Sequence, residues 1–380
     1  FVFINSKYEE SIVKDNLINV EIFLEENNNK FFVDRINILG NIFTEEKVLR
    51  NQLIIDEGDP FNEILFKRSV NNIKGLNIFK SVNTKILDSN TADKKNINIS
   101  VEEKPTGEIT TGAGTGTMGT TVSAGIKESN YLGKGVSLSA NVTVSSEEVK
   151  GLISYRDPNF NNTNRVFKSS LESSTTDNLT VAGYKTEKTG FSIGTNFEQY
   201  SDINVDLNIS SYFENLETSK AASDIKKKQA GDYFENVLTY GLIMNKLDQN
   251  FQPTDGYKIS FFQSLPIYSD DWAIENTLSA SSYIPVTDRL IISSKFFLKA
   301  VHSLDGNVRA SKRAYLSSRR LKGFKAKSIG PKEGGEYIGG NYASAINLNT
   351  TLPNLINEYE NIDVSLFLDA ANIWHVDYNN

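Results

Sequence analysis

The sequence predicts a small α+β domain followed by an antiparallel transmembrane β-barrel. Three observations lead there. The first 105 residues mix strand and helix periodicities. From Thr106 onward the hydrophobicity alternates with period two and continues so through about 13 strands. No run of about 18 apolar residues occurs anywhere, so a helix does not cross a membrane, whereas a barrel crosses with strands of only about 9–11 alternating residues.

Composition agrees. The 380 residues are 39% hydrophobic and 23% charged, with a net charge of -7, which describes a folded chain rather than a disordered or fibrous one. A mean hydropathy of -0.35 is ordinary for a barrel, because polar and apolar faces average out. The absence of cysteine excludes thiol catalysis, cysteine-ligated zinc and iron–sulfur sites. His302 and His375 stand apart, without the spacing of a metal site or a triad. Phe1-Val2-Phe3 lacks an initiator Met and a leader, so the start is expected to lie inside a longer chain.

In the first region Ile18, Val20, Ile22 and Leu24 alternate with polar residues, predicting a strand with one buried face that ends at Glu26-Asn27-Asn28-Asn29. Val33, Ile36 and Ile38 predict a second strand ending at Gly40-Asn41. Thr44, followed by Glu45 and Glu46, reads as a helix N-cap with first-turn acids. Asn62 opens a longer helix whose Phe66, Val70 and Ile73 share a face and whose terminator is expected at Gly75. Strands through Val82-Thr84-Ile86 and Ile97-Ile99-Val101 complete a small sheet with two helices on one face.

Beyond Thr106 the alternation is clear. Val136, Leu138, Ala140, Val142 and Val144 face away from serines, Asn141 and Thr143. Val149, Ile153 and Tyr155 oppose Lys150, Ser154 and Arg156, and Ile203, Val205, Leu207 and Ile209 oppose Asn204, Asp206, Asn208 and Ser210. Similar stretches run through 188–198, 234–246, 256–265, 273–284, 288–301, 341–352 and 362–372. Tight connections such as Leu132-Gly133-Lys134-Gly135 and Pro285-Val286-Thr287-Asp288 contrast with long polar ones at 214–232 and 303–340, the asymmetry of an outer-membrane barrel. A soluble β-sandwich would give bulkier, mixed faces, and a propeller would show a blade-length repeat.

Few segments invite chemistry. Gly112, Gly114, Gly116 and Gly119 resemble a phosphate loop only in composition, with no following helix and no suitably placed lysine. Small residues on a weakly paired strand explain them better. Glu102-Glu103 and Glu147-Glu148 lie at strand ends, where adjacent side chains face opposite ways and read as solvated charge. Residues 305–340 differ. They carry nine basic and three acidic residues, a net +6 in a chain whose remainder is -13. Composition leaves two readings equal: a loop folded inward onto lumen carboxylates, or a solvated loop that binds anionic lipid.

Leu321-Lys322-Gly323-Phe324, followed by Ser328-Ile329-Gly330-Pro331 and Gly339-Gly340-Asn341, resembles the sixth extracellular loop of the BamA family of outer-membrane protein assembly factors. Further motifs extend the resemblance. Ile38-Leu39-Gly40-Asn41, Gly58-Asp59-Pro60-Phe61 and Gly75-Leu76-Asn77-Ile78-Phe79 are similar to the family's last polypeptide-transport-associated (POTRA) domain. Glu102-Glu103-Lys104 is similar to its junction into the barrel, Asn130 to Gly135 to its second turn, and Phe367 to Trp374 to its thirteenth strand.

The resemblance implies three segments: 1–30 as the last strands of a preceding POTRA domain, 31–105 as a POTRA domain, and 106–380 as a barrel with about 13 of the family's sixteen strands, its closing strands missing. It implies a non-enzymatic assembly factor of the bacterial outer membrane, POTRA domains in the periplasm, needing no cofactor. Unfolded outer-membrane proteins are the implied clients, accessory assembly lipoproteins and outer-membrane lipid the implied partners, and nucleic acid is not among them. Within this frame Lys322, Gly323, Phe324 and Asp369 form a loop lock, with Lys322 standing where the family has arginine, and Asn349 and Asp369 where it has acids on two strands, which leaves Lys322 with Asp369 as the expected pair. Gly112, Gly114 and Gly116 mark a lateral gate. Val82, Thr84 and Ile86 mark a client-binding strand edge. A TamA-like or two-partner-secretion translocation barrel is the nearest alternative, and a surface adhesin or porin the alternative of another class.

Overall fold

The computed structural model describes residues 4–14, 17–26, 31–116, 119–180, 182–220, 222–250, 252–287, 290–333, 335–352 and 364–377. The expected turn residues Asn27–Asn29 and Asp288, the strand start at 362–363 and the last three residues lie outside them. The chain forms two compact units, residues 1–108 with 128–137, and residues 109–127 with 138–380.

In the first unit β1 (Ile4–Lys14) and β2 (Leu17–Glu26) pair as an antiparallel ribbon. Here the alternation misleads. Ile18, Val20 and Ile22 share a face but are 50–65% exposed, because a two-stranded ribbon supplies no second layer to cover them.

Next come β3 (Phe32–Leu39), α1 (Glu46–Arg50), α2 (Glu63–Gly75), β4 (Phe79–Asp88) and β5 (Lys94–Glu103). The sheet order is β3-β5-β4, with β3 parallel and β4 antiparallel to the central strand. Leu49, Ile73, Ile97 and Ile99 are completely buried and form one core with Ile36 and Phe66. Asn62 caps α2, its side chain accepting from the amides of Ile64 and Leu65.

Two local expectations are corrected. Gly75 stays within α2, and Asn77 at φ 55° takes the left-handed position that turns the chain. Thr44 is not the cap of α1. Glu45 occupies that place without a side-chain hydrogen bond, and the Thr44 hydroxyl is engaged elsewhere.

The second region is a meander of thirteen antiparallel strands. It runs β6 (Gly107–Gly116), β7 (Gly119–Tyr131), β8 (Val136–Ser145), β9 (Glu148–Asp157), β10 (Val166–Asn178), β11 (Tyr184–Tyr200), β12 (Ile203–Thr218), β13 (Gly231–Leu247), β14 (Gly256–Ser269), β15 (Ala273–Pro285) and β16 (Ile291–Ser303). A short helix, α3 (Asp224–Lys228), sits between β12 and β13. After β16 a long loop holds a two-residue hairpin, β17 (Lys332–Glu333) with β18 (Glu336–Tyr337), and the sheet resumes with β19 (Tyr342–Leu352) and β20 (Val364–Trp374). β6 and β20 are the two ends of this sheet, a partial barrel that is not closed among the described residues.

Pairing aligns like with like. Ile153, Leu171 and Phe191 stand in one row across β9, β10 and β11, and Ile193, Ile209 and Leu238 in another across β11, β12 and β13. Phe191, Ile193 and Ile209 are about half exposed on the outer face. Between these rows Ser154, Ser170, Ser192 and Ser210 line up on the opposite face. An apolar exterior against a hydroxyl-rich interior is what a bilayer outside and water inside select.

Candidate functional site

The basic loop folds inward. Ala314 and Gly340 close its neck by exchanging backbone hydrogen bonds of 2.7 and 3.1 Å. Ala314 and Leu316, with Ile329 beside them, pack on Phe297, Ala343, Ala345 and Ile373, the inward side chains of β16, β19 and β20. Period-two patterning puts small alanines on that face of β19 and so makes room for the loop.

Charge does the rest. Arg309 and Lys312 are buried among Glu214 of β12, Glu235 of β13 and Asp271 of the β14–β15 turn. Arg309 hydrogen-bonds Glu235 and lies 3.5 Å from Glu214 and 3.6 Å from Asp271, its guanidinium 3.9 Å from the centre of the Tyr233 ring. Lys312 reaches Glu235 at 2.8 Å and Asp271 at 3.5 Å. Tyr212 donates to Glu235 at 2.7 Å, and Ser311 donates to Glu214 at 2.6 Å.

Arg309 and Lys312 thus touch three carboxylates, and Lys188 of β11, directly across from Glu214 and over the Tyr212 ring at 3.5 Å, adds a third cation nearby. Asp271 is the least well paired of the carboxylates. Its Oδ2 and the Arg309 Nη1 opposite have no hydrogen-bond partner, and burial pushes the Asp271 carboxyl up from its ordinary range despite the neighbouring cations.

A second tie lies deeper in the sequence. Lys322 Nζ is 3.3 Å from Asp369 of β20, and the Lys322 backbone amide donates to the same carboxylate at 2.9 Å. Asn347 of β19 donates to Asp369 and to the Arg320 carbonyl, both at 2.8 Å. The side chain of Asp369 is 3% exposed and that of Lys322 38%, so the carboxylate, which gathers two chain segments, is the centre of the cluster. Gly323 takes φ +84°, which favours glycine. Phe324 is not brought in. It is 51% exposed. Asn349 is also elsewhere, paired with Phe367, while Asn347 stands opposite Asp369.

A third tie engages α3. The buried Lys226 donates to Glu336 at 2.8 Å and to the Ala182 carbonyl at 2.9 Å. Lys327 donates to Asn178 at 2.6 Å, and burial lowers its ammonium pKa.

The other expected residues lie on strand edges. The outer side of β3 is already occupied: Gly58 donates to Val33, Val33 to Asp59, the Ile36 amide to Glu57, and Arg50 to the Ile36 carbonyl. β4 carries no such cover among the described residues and is the open edge of its sheet. Val82 packs against the core, while Thr84 and Ile86 are exposed. Gly112 and Gly114 belong to β6, the other kind of open edge. A side chain at Gly114 would meet nothing within 4 Å, and at Gly112 only the Ser123 hydroxyl at 3.1 Å. Gly114 relieves no crowding and Gly112 only the close approach of one hydroxyl, so both chiefly leave β6 without side chains. The side-chain surroundings of Gly116 lie outside the description.

Comparison with known proteins fits this architecture. The Omp85 superfamily domain matches residues 130–380, about two thirds of the chain, and the POTRA model, described as surface antigen variable number repeat, matches residues 31–104. The outer membrane protein assembly factor BamA of Nitratidesulfovibrio vulgaris is 23% identical over 92% of this chain, and that of Neisseria meningitidis 24% over 91%. The chain spans about half the length of these relatives, 44% and 47%. The crystal structure of BamA from Haemophilus ducreyi lacking POTRA domains 1–3 superposes with a TM-score of 0.78 at 21% identity, covering 98% of this chain and 77% of that one.

Proposed function

Because the chain belongs to the Omp85 superfamily, we propose that the whole protein is an assembly factor that folds β-barrel proteins and inserts them into the outer membrane. It is an outer-membrane protein whose POTRA domain stands in the periplasm. The observation that carries the proposal is the coexistence, in one chain, of a POTRA sheet with one covered and one open edge and a barrel sheet ending in the glycine-rich β6.

Unfolded outer-membrane proteins would bring strands with unsatisfied backbone groups, which an open edge pairs at low cost. The β4 edge around Val82, Thr84 and Ile86 is proposed to receive them. β6, with Gly112, Gly114 and Gly116, is proposed as the gate strand against which a client strand forms. Lys322, Gly323 and Asp369 are proposed to keep the loop seated while that happens, and residues 1–30 to belong to a preceding POTRA domain. Accessory assembly lipoproteins and outer-membrane lipid are the proposed partners, and pairing of strands requires no covalent chemistry.

Depletion of the protein from cells is the test. The expected result is a joint fall in many outer-membrane barrels, with unfolded precursors in the periplasm. Normal barrel levels with loss of a single exported soluble partner would replace assembly by translocation.

A further inference from the structure

The turn between β7 and β8 packs within the first unit, apart from most of the sheet it belongs to. Asn130, 3% exposed, donates from Nδ2 to the Thr44 hydroxyl at 2.9 Å, and its own Oδ1 accepts the Gly135 amide at 2.7 Å. Thr44 is 2% exposed, and the Glu103 carboxylate of β5 accepts its backbone amide at 2.6 Å and that of Phe43 at 2.9 Å. The Glu45 amide donates to the Gly133 carbonyl at 2.8 Å.

Shape is matched as closely as polarity. Gly133, at φ +72°, lies so near the segment that a Cβ would stand 2.1 Å from the Phe43 carbonyl oxygen. At Gly135, φ +67°, it would stand 2.8 Å from Val48, a residue of the POTRA core. A generic hairpin turn needs neither glycine against another element nor a buried asparagine reaching out of it.

We propose that Asn130, Thr44 and Glu103 form a latch through which the POTRA domain holds the β7–β8 turn, so that the turn opens only when segment 40–48 opens with it. Each group is bound from both sides. Thr44 joins the two sides, its hydroxyl accepting from Asn130 and its backbone amide donating to Glu103. Losing the hydroxyl strands the Asn130 amide in a buried place, which loosens the turn and the segment it is held against together. The latch stands on these contacts and is independent of what the protein assembles.

Hydrogen exchange in the intact protein in lipid nanodiscs tests it, following peptides over 40–48, 128–136 and β13. Thr44→Val keeps the shape and removes the hydroxyl, Asn130→Leu removes the other partner, and Thr44→Ser retains the bridge. In Thr44→Val and Asn130→Leu, exchange over both 40–48 and 128–136 is expected to rise roughly 5- to 100-fold, the cost of stranding one buried partner, with Thr44→Ser near wild type and β13 unchanged. If Thr44→Val accelerates 40–48 and leaves 128–136 at the wild-type rate, the latch does not exist. Equal acceleration over β13 overturns it too, since the effect is then general loss of folding.

Discussion

Replacing Arg309 with leucine is expected to destabilise the folded barrel by about 3–5 kcal/mol, the cost of removing one partner from a buried ionic cluster. The sign follows from counting charges. Arg309 is the cation that reaches Glu214, Glu235 and Asp271 together, and the variant leaves the three carboxylates with Lys312 and the more distant Lys188. Removing a carboxylate acts differently. Asp271→Asn takes away the charge of the group that burial already drives toward its protonated form, and it is expected to be neutral or mildly stabilising. The temperature at which the intact protein loses its heat-modifiable gel mobility reads both variants. Equal losses for the two would show that the cluster is sensed only as packing.

Asp369→Ala is expected to be the second large effect, and larger than Lys322→Ala. Asp369 accepts from the Lys322 amide, the Lys322 ammonium and Asn347. Alanine at 369 strands two donors, the Lys322 amide and the Asn347 side chain, at about 1–3 kcal/mol for each buried group. Alanine at 322 keeps the backbone hydrogen bond to Asp369 and loses the ammonium's contacts with Asp369 and, at 4.3 Å, the Phe367 ring, made by a side chain that is 38% exposed. In cells the order of outer-membrane protein levels should be wild type, then Lys322→Ala, then Asp369→Ala. The reverse order would place the lock in the lysine charge rather than in the carboxylate.

Much of this architecture was legible because period-two alternation has few alternative explanations over so many strands. Asp369 alternates with Leu366 and Leu368 along β20, a parity readable from the sequence, and the register places it against Asn347 on the face that holds the loop. Parity does not say which neighbour meets which loop residue, which is why Asn347 rather than Asn349 stands there. Loop charge left two partners for 305–340 equal, lumen carboxylates and anionic lipid. It did not select Arg309 and Lys312 over seven other cations, because the choice depends on where the neck at Ala314 and Gly340 closes. Glu214 and Glu235 carried a readable signal: each shares the inward parity of its strand with hydroxyls and amides. The misreading of Thr44 has a physical source too. A threonine before two glutamates satisfies a helix cap or a distant asparagine equally well, and only the tertiary approach of the β7–β8 turn decides.

The most direct test reconstitutes the complete protein in liposomes and follows the folding of a urea-denatured outer-membrane barrel by its heat-modifiable mobility. Folding should be faster than in empty liposomes, and the acceleration should fall toward the empty-liposome rate with Asp369→Ala under conditions where that variant itself remains folded. Client folding at the same rate with and without the wild-type protein would contradict the assembly function.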